Sequence, residues 1–344
     1  NALLDGSHTL SVTVTDRAGN STTSTPVNNF NVLTDPLTAP QLLTPFTDGL
    51  LNAVEATATQ TILGPLNTPV ANVASVTVSL NNGTPVTATI NGNGTWSLDL
   101  SPAVLAALPD GTTTVNVTVT DKAGNVVTGP ASFDVLTHNL PVATFNTPFG
   151  DGSINYDEIR ADQVITGNTG VTGAGQTVQL VFNGHTYIQS VNANGDWSVT
   201  IPQLDIANLV DGASQPLTVT VTDRANNVST PVTVPVGVHI DLPAPNATNL
   251  FGGDAVLNIA EAAGPLTLTG TTGITNGNNQ YVTVQIDIGG VTYTAGVVNG
   301  VLTVHLPAGA PQSLDPAVSH EIILTAEDQY GNSNTHPVRF TVVI

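Results

Sequence analysis

The chain has 344 residues, of which only 9% are charged, yet its net charge is −20 because 25 Asp and Glu outnumber 5 Lys and Arg. Binding to a nucleic-acid backbone needs clustered Lys and Arg, so this composition argues against such a partner. The sequence contains no cysteine, which excludes disulfides and thiolate metal sites. No apolar run approaches eighteen residues, so we expect no membrane insertion by this segment. The acidity indicates either a solvated, self-repelling surface or carboxylates collected around a hard cation.

A six-residue pattern, Thr-Asp-x-Ala-Gly-Asn, recurs at a spacing of about one small domain. It occupies 15–20, 120–125, 222–227 and, in degraded form, 327–332. Such a period is typical of an array of similar domains. We therefore predict three complete repeats at 38–140, 141–243 and 244–344, preceded at 1–37 by the C-terminal part of a truncated repeat. Both ends look like cuts from a longer protein.

In chain order, the first complete repeat shows short alternating apolar segments separated by turns. A short extended segment is expected at 41–43, and the predicted strands are 59–63, 76–80, 86–90, 96–98 and 115–120. A helical turn is predicted at 103–108. Period-two alternation bounded by Asn-Gly turns is typical of half-buried antiparallel strands. About seven such strands per hundred residues predict an all-β fold of tandem immunoglobulin-like β-sandwich domains arranged end to end.

The next repeats follow the same plan. Segment 178–182 is expected to pair with 187–191, segment 282–288 with 293–297, and 204–209 to form the second helical turn. Trp96, Trp197 and Leu302 occupy equivalent positions. Because a small sandwich depends on one large buried side chain, we expect these three residues in the cores rather than in a ligand site.

A polar loop that recurs in each complete repeat carries the candidate metal ligands. The loops supply carboxylate and amide oxygens interleaved with aliphatic anchors, as a compact Ca²⁺ loop requires, although their spacing is not that of an EF-hand. The predicted loop ligands are Asp48, Asn52 and Glu55, then Asp151, Asn155, Asp157 and Glu158, then Asp254, Asn258 and Glu261.

Further acids recur in the linkers, in the turn before the longest strand and in the last hairpin. The linker acids are Asp35 and Asp241, with His138 at the equivalent place; the turn acids are Asp110 and Asp211; the hairpin acids are Asp121, Asp223 and Asp328. Sandwich topology brings Asp157, Glu158, Asp211, Asp241 and Asp328 towards one junction, where a cation would cancel their repulsion. Alternatively, the hairpin aspartates only open turns.

The hairpin pattern, the Asn-Gly-(Thr/Asp)-Trp-Ser strand and the Asp-Gly-x-(Leu/Ile)-Asn-x-x-Glu loop resemble the bacterial immunoglobulin-like repeats of giant type I-secreted adhesins. The non-fimbrial adhesins and biofilm-associated proteins are the most similar sort. The resemblance implies an extracellular rod at the bacterial cell surface, stiffened by calcium between domains, with a role in adhesion, biofilm formation and virulence. The sequence departs from the usual pattern at His138, Ala255 and Leu302.

Three functions remain open from the sequence. The first is a calcium-stiffened stalk segment that contacts its neighbouring repeats and spaces a distal binding site from the cell. The second is a set of repeats that bind host glycans or neighbouring stalks. The third is an accessory array of a secreted hydrolase. The chain itself is expected not to be an enzyme, because it has no nucleophile elbow and no phosphate loop, and its seven histidines do not recur.

Overall fold

The computed structural model describes residues 3–24, 28–274, 283–288, 290–308, 315–316 and 318–343. The described residues form mainly antiparallel sheets with short helical turns, and the predicted all-β class of tandem immunoglobulin-like sandwiches is confirmed. The chain divides into two compact units, which are described separately below. Unit 1 comprises Asn1–Pro141 and Thr222–Ser229, and unit 2 comprises Val142–Val221 and Thr230–Ile344.

Unit 1 begins with two small two-stranded sheets. Strand β1 (Gly6–Leu10) pairs with β4 (Asn28–Val32), and β2 (Thr13–Thr15) pairs with β3 (Ser21–Thr23). The apolar side chains of Leu10 in β1, Val12 between the two strands and Val14 in β2 are 55%, 54% and 67% exposed. No other named strand in the described part of the chain pairs with them. These strands therefore show the alternating pattern of sandwich strands, but their apolar side chains are not buried in a core.

The rest of unit 1 contains a complete sandwich. Its five-stranded sheet has the order β5-β12-β11-β7-β8, and its three-stranded sheet has the order β6-β10-β9. The strands are β5 (Leu50–Asn52), β6 (Gln60–Pro65), β7 (Val73–Leu80), β8 (Val86–Thr87), β9 (Thr89–Ile90), β10 (Thr95–Leu100), β11 (Gly111–Asp121) and β12 (Val126–Leu136). All pairs are antiparallel except β5 with β12. Helical turns lie at Glu55–Thr57, Val70–Asn72 and Pro102–Ala106, the last of which confirms the predicted turn.

Trp96 is fully buried between these two sheets, as the sequence predicts. Its indole N–H donates a 3.0 Å hydrogen bond to the carbonyl oxygen of Gln41. The chain approaches closely here, because a Cβ on Gly64 would lie 1.9 Å from that same oxygen. The segment around Gln41 thus packs directly against β6, and only glycine at position 64 permits this contact.

The prediction of one continuous strand over residues 86–90 is wrong. The segment breaks at Ala88: β8 pairs with β7 in the larger sheet, whereas β9 pairs with β10 in the smaller one. Ala88 is buried, and its N–H donates to the carbonyl oxygen of Val76. The chain therefore crosses from one sheet to the other at this residue, as strands at the edges of sandwiches often do.

Unit 2 contains two further pairs of sheets with a closely similar strand order. In the first, the sheets are β13-β15-β18 and β14-β20-β19-β16-β17. The strands are β13 (Thr144–Phe145), β14 (Ser153–Ile154), β15 (Gln163–Asn168), β16 (Thr177–Phe182), β17 (His185–Ser190), β18 (Asp196–Ile201), β19 (Ser214–Thr222) and β20 (Val232–Val238). Helical turns at Glu158–Arg160 and Gln203–Ile206 match those of unit 1.

In the second pair, the sheets are β21-β23-β27-β26 and β22-β29-β28-β24-β25. The strands are β21 (Asn246–Asn249), β22 (Val256–Asn258), β23 (Leu266–Thr271), β24 (Thr283–Ile288), β25 (Val291–Thr294), β26 (Gly296–Val298), β27 (Val301–Leu306), β28 (Ser319–Glu327) and β29 (Ser333–Val343). Helical turns lie at Phe251–Gly253 and Ile259–Ala262. The predicted pairing of 282–288 with 293–297 is confirmed only in part. Gln285–Ile288 pairs with Val291–Thr294, whereas Gly296–Val298 pairs with β27 in the other sheet, and Val282 lies outside the described residues.

Each complete pair of sheets encloses its own apolar core. Trp197 is 3% exposed and Leu302 is 1% exposed, so the predicted core positions are confirmed in unit 2 as well. The helical segments in the described part of the chain are only three to five residues long, and none could span a bilayer.

Candidate metal sites

The three polar loops predicted to bind calcium form hydrogen-bonded caps on short helical turns. In the first loop, the Asn52 side chain accepts the N–H of Glu55 at 2.8 Å, and the Glu55 carboxylate accepts the N–H of Asn52 at 3.1 Å. Asn155 with Glu158 and Asn258 with Glu261 form the same reciprocal pair at 2.9–3.0 Å. This arrangement is a capping box, which satisfies two N–H groups at the start of a helical turn.

The first acid of each loop has a separate local role. The carboxylates of Asp48, Asp151 and Asp254 each accept the backbone N–H two residues further on. Asp157 donates its own N–H to the Asn155 side chain and has an exposed side chain. Apart from Asp157, the loop residues predicted as calcium ligands thus already accept hydrogen bonds within their own loop. The signal missed in the sequence was the Asn-x-x-Glu spacing, which is that of a capping box as well as of an oxygen-rich loop.

The aspartates of the recurrent hairpins open turns, as the alternative interpretation holds. In each hairpin one carboxylate oxygen accepts the N–H groups two and four residues on, and the other accepts the side-chain amide of the asparagine four residues on. The residues are Asp16, Asp121, Asp223 and Asp328. The asparagine side-chain hydrogen bond is the main cause of the lowered pKa of Asp16 and of Asp121.

The turn acids hold the linkers by hydrogen bonds to the backbone. Asp110 accepts the N–H groups of Thr137, His138 and Asn139 at 2.8–3.1 Å. Burial alone would raise its pKa, but these three hydrogen bonds and the contact with the His138 ring lower the pKa to about 2. The ring nitrogen of His138 lies 3.3 Å from the Asp110 carboxylate.

The equivalent acids at the other two linkers do the same. Asp5 accepts the N–H groups of Thr34 and Asp35, and Asp211 accepts those of Ile240 and Asp241. Asp211 thus lies beside the linker at Asp241. The carboxylates of Asp35 and Asp241 themselves are exposed.

Two depressions gather acids from different segments of one unit. In unit 1, Asp5, Asp35 and Asp121 line the first; in unit 2, Asp151, Glu327 and Asp328 line the second. Even so, the described residues include no group of three or more Asp, Glu or His side chains close enough to hold one ion. The predicted convergence of Asp157, Glu158, Asp211, Asp241 and Asp328 is not seen among them. Carboxylates that line a depression without meeting do not make a preformed calcium site, since Ca²⁺ needs six to eight oxygens at 2.3–2.6 Å.

The hairpin asparagines are the residues whose role the sequence did not reveal. Asn227 and Asn332 are 5% and 3% exposed, whereas Asn20 and Asn125 are exposed. The two buried asparagines contact the repeat before their own at its capping-box loop and at the end of its last strand. The strand-end partner is Leu136 for Asn227 and His239, the residue after β20, for Asn332. The sequence signal for this role was that asparagine recurs at the last position of the hairpin pattern.

Comparisons with known proteins agree with this architecture. Residues 64–137 match the bacterial Ig-like domain family. None of the curated proteins matches the chain. A segment of a 1.5-MDa bacterial ice-binding adhesin is 29% identical over 90% of this chain and 99% of its own, with a TM-score of 0.44. A Ca²⁺-stabilised adhesin with which an Antarctic bacterium binds ice is 30% identical over 97% of this chain and 81% of its own, with a TM-score of 0.41.

A single bacterial immunoglobulin-like domain from the M. primoryensis ice-binding adhesin is 31% identical over 30% of this chain and 98% of its own, with a TM-score of 0.23. The level of sequence identity, the matched segment and the recurrent strand order all point the same way. The chain belongs to the bacterial Ig-like domain family.

Proposed function

We propose that this chain is a spacer segment of a bacterial surface adhesin. The observation that carries the proposal is the repetition of one sandwich, each copy with its own core, in a chain about 30% identical to adhesin segments. Copies with separate cores add length without needing one another to fold. The net charge of −20 suits an exposed, self-repelling array.

The proposal places the segment outside the cell, where it supports adhesion, biofilm formation and virulence without catalytic activity of its own. Antibodies against the segment should label intact bacteria that express the full-length protein. Labelling only after lysis would contradict the extracellular location.

An exchange experiment separates a spacer from repeats that bind a ligand themselves. Residues 38–243 of the full-length adhesin are replaced by two unrelated immunoglobulin-like domains of the same length. A spacer tolerates this exchange, so adhesion to the host surface should stay near the wild-type level. A loss of adhesion equal to that of a deletion would favour the alternative, in which the repeats contact host glycans or neighbouring stalks. The two tryptophans do not support glycan stacking, because both are buried.

We further propose that calcium associates with the two acidic depressions and steadies the junctions. Asp5, Asp35 and Asp121 would hold it in unit 1, and Asp151, Glu327 and Asp328 in unit 2. Support comes from the chemistry of the donors, because carboxylates are preferred Ca²⁺ ligands and their mutual repulsion falls when a cation is present. The carboxylates would have to move closer together to bind one ion. At the linker of His138, imidazole is a poor calcium ligand, so we expect the weakest binding there.

Calorimetric titration of the whole chain with CaCl₂, after treatment with EDTA, tests the calcium proposal. Asp35→Asn and Asp151→Asn should each remove one class of site, whereas Asp99→Asn, which makes the same change of charge on an exposed strand residue, should not. If the wild-type chain binds no calcium at millimolar concentration, calcium stiffening is wrong and the metal-free spacer remains.

A further inference from the structure

The side chain of Asn227 uses its acceptor oxygen and both of its N–H donors within unit 1. Its Oδ1 accepts the N–H of Ala53 at 2.9 Å, and its Nδ2 donates to the carbonyl oxygen of Leu136 at 2.8 Å. The second hydrogen of Nδ2 reaches the carboxylate of Asp223 at 2.8 Å. A primary amide presents an acceptor oxygen and two N–H donors, and here both kinds of group are occupied.

The same contact recurs within unit 2 with different residues around it. Asn332 accepts the N–H of Tyr156 at 2.7 Å and donates to the carbonyl oxygen of His239 at 2.9 Å and to Asp328 at 2.8 Å. Tyr156 and His239 are the repeat equivalents of Ala53 and Leu136. Two independent occurrences show that the contact belongs to the repeat rather than to one local sequence.

The capping box explains why a backbone N–H is available at this place. The side chain of the asparagine at the start of each box accepts a hydrogen bond from the third N–H of the turn. The glutamate carboxylate accepts one from the N–H of that asparagine. The N–H immediately after the asparagine, which belongs to Ala53 or Tyr156, has no acceptor within the turn. The hairpin asparagine supplies that acceptor from the following repeat.

The geometry also selects asparagine over its isosteric acid. An aspartate at position 227 would turn an oxygen towards the Leu136 carbonyl and towards the Asp223 carboxylate. Both contacts would then join two acceptors, and a buried acceptor without a donor is costly. Asparagine is therefore required by the partner groups as well as by the hairpin.

Additional side-chain contacts differ between the two places. Arg224 reaches Asp134 at 3.1 Å beside Asn227. Beside Asn332, the rings of Tyr330 and His239 stack with centroids 3.5 Å apart, and the Asn155 amide donates to the carbonyl oxygen of Tyr330. The asparagine contact is the part that both places share.

We infer that the hairpin asparagine is a recognition element, by which one repeat docks on the capping-box loop and last strand of the repeat before it without a metal ion. The partner surface is a second copy of the same repeat. This inference does not depend on the adhesin role, and it holds that the contact persists when calcium is absent from the acidic depressions, one of which Asp328 lines.

Amide hydrogen exchange of the whole chain in EDTA, followed residue by residue by NMR, tests the inference. In the wild type, the N–H groups of Ala53 and Tyr156 should be protected. The equivalent N–H of Ile259 should exchange rapidly. The described residues supply no hairpin asparagine for it, and the Ile259 side chain is 67% exposed. Asn227→Ala should accelerate exchange at Ala53 by about fivefold or more, the effect of one net hydrogen bond, and leave Tyr156 unchanged. Asn332→Ala should do the reverse.

Asn125→Ala is the matched control. It loses the same hydrogen bond to its hairpin aspartate. Its other side-chain hydrogen bond among the described residues goes to the carbonyl oxygen of Leu33, and none goes to a capping box. It should leave Ala53 and Tyr156 protected. Asn227→Asp keeps the shape of the side chain and should accelerate exchange at Ala53 like the alanine variant.

Two results would overturn the inference. The first is unchanged protection of Ala53 in Asn227→Ala while the Glu55 amide shows an intact capping box. The second is loss of protection of Ala53 and Tyr156 in the wild type on adding EDTA, which would show that a metal ion holds the contact.

Discussion

The N-terminal strands of unit 1 and the complete sandwich that follows them carry nearly the same pattern with opposite burial. Leu10, Val12 and Val14 correspond to Val115, Val117 and Val119 in the repeat. The first three are more than half exposed, and the last three are completely buried. The hairpin motif is also shared, down to the hydrogen bonds of Asp16 and Asp121. Alternation and turn chemistry thus suffice to form the hairpin, but only a second sheet makes a core.

The largest difference should appear when a core side chain is removed. Trp96→Ala should reduce the free energy of unfolding of its repeat by about 3–5 kcal/mol, because it leaves a cavity at the centre of the sandwich. Phe30→Ala in β4, where the ring is 41% exposed, should change stability by only about 0.5 kcal/mol. Chemical denaturation of the two variants measures both effects. Equal losses would mean that the N-terminal strands share the core energy.

Hydrogen exchange should separate the same two regions without mutation. Amides of β11 at 115–120 should open only when the whole repeat unfolds, whereas those of β2 at 13–15 should exchange by local opening. The reason is that few buried contacts hold the short strands. Equal protection of the two segments would contradict this comparison.

A pair of equivalent valines gives a finer test. Val117→Thr keeps the shape of the side chain but buries a hydroxyl group, so we expect a loss of about 1–3 kcal/mol. Val12→Thr places the same hydroxyl in water and should lie within about 0.5 kcal/mol of the wild type. Thermal and denaturant unfolding of both variants would check the difference. A cost at Val12 like that at Val117 would reveal burial that the structure does not show.

The smallest effect concerns the acids that hold the linkers. Asp110 has a pKa of about 2, below the value near 4 expected in the unfolded chain. Its hydrogen bonds therefore contribute stability above about pH 4, and that contribution is lost as the pH falls from about 4 to about 2. Asp110→Asn should flatten this part of the stability profile, measured by thermal unfolding between pH 5 and pH 2.

Asp5 is the counterpart of Asp110 at the first linker, and its pKa is also lowered, mainly by the hydrogen bond from the Thr34 side chain. Because Asp5 is exposed, Asp5→Asn should barely change the profile. A change as large as that of Asp110→Asn would show that the first linker is held as firmly as the second.

Much of the fold follows from local patterns. The repeat spacing, the alternating strands, the helical turns and the core positions of Trp96, Trp197 and Leu302 depend on periodicity and on residue size, which a sequence displays directly. The strand at 86–90 was mispredicted because alternation does not show which sheet a strand joins. In the structure, the chain passes from the larger sheet to the smaller one at the buried Ala88.

The candidate site was less predictable, because the same residues suit two kinds of chemistry. Asn52 with Glu55 satisfies both an oxygen-rich metal loop and a capping box, and only the side-chain hydrogen bonds distinguish them. The hairpin aspartates posed the same ambiguity, and the hydrogen bonds that they accept within their turns are visible only in the structure.

The sequence by itself determined that this protein is an array of acidic, cysteine-free, all-β repeats with one large side chain at each core. The tertiary structure alone decided what the polar residues contact. Ala53 and Asn227 are 174 residues apart in sequence, yet a 2.9 Å hydrogen bond joins them. This contact depends on the orientation of one backbone N–H group that the capping box leaves free. That orientation is set only when the repeats fold, so it cannot be read from the residue pattern.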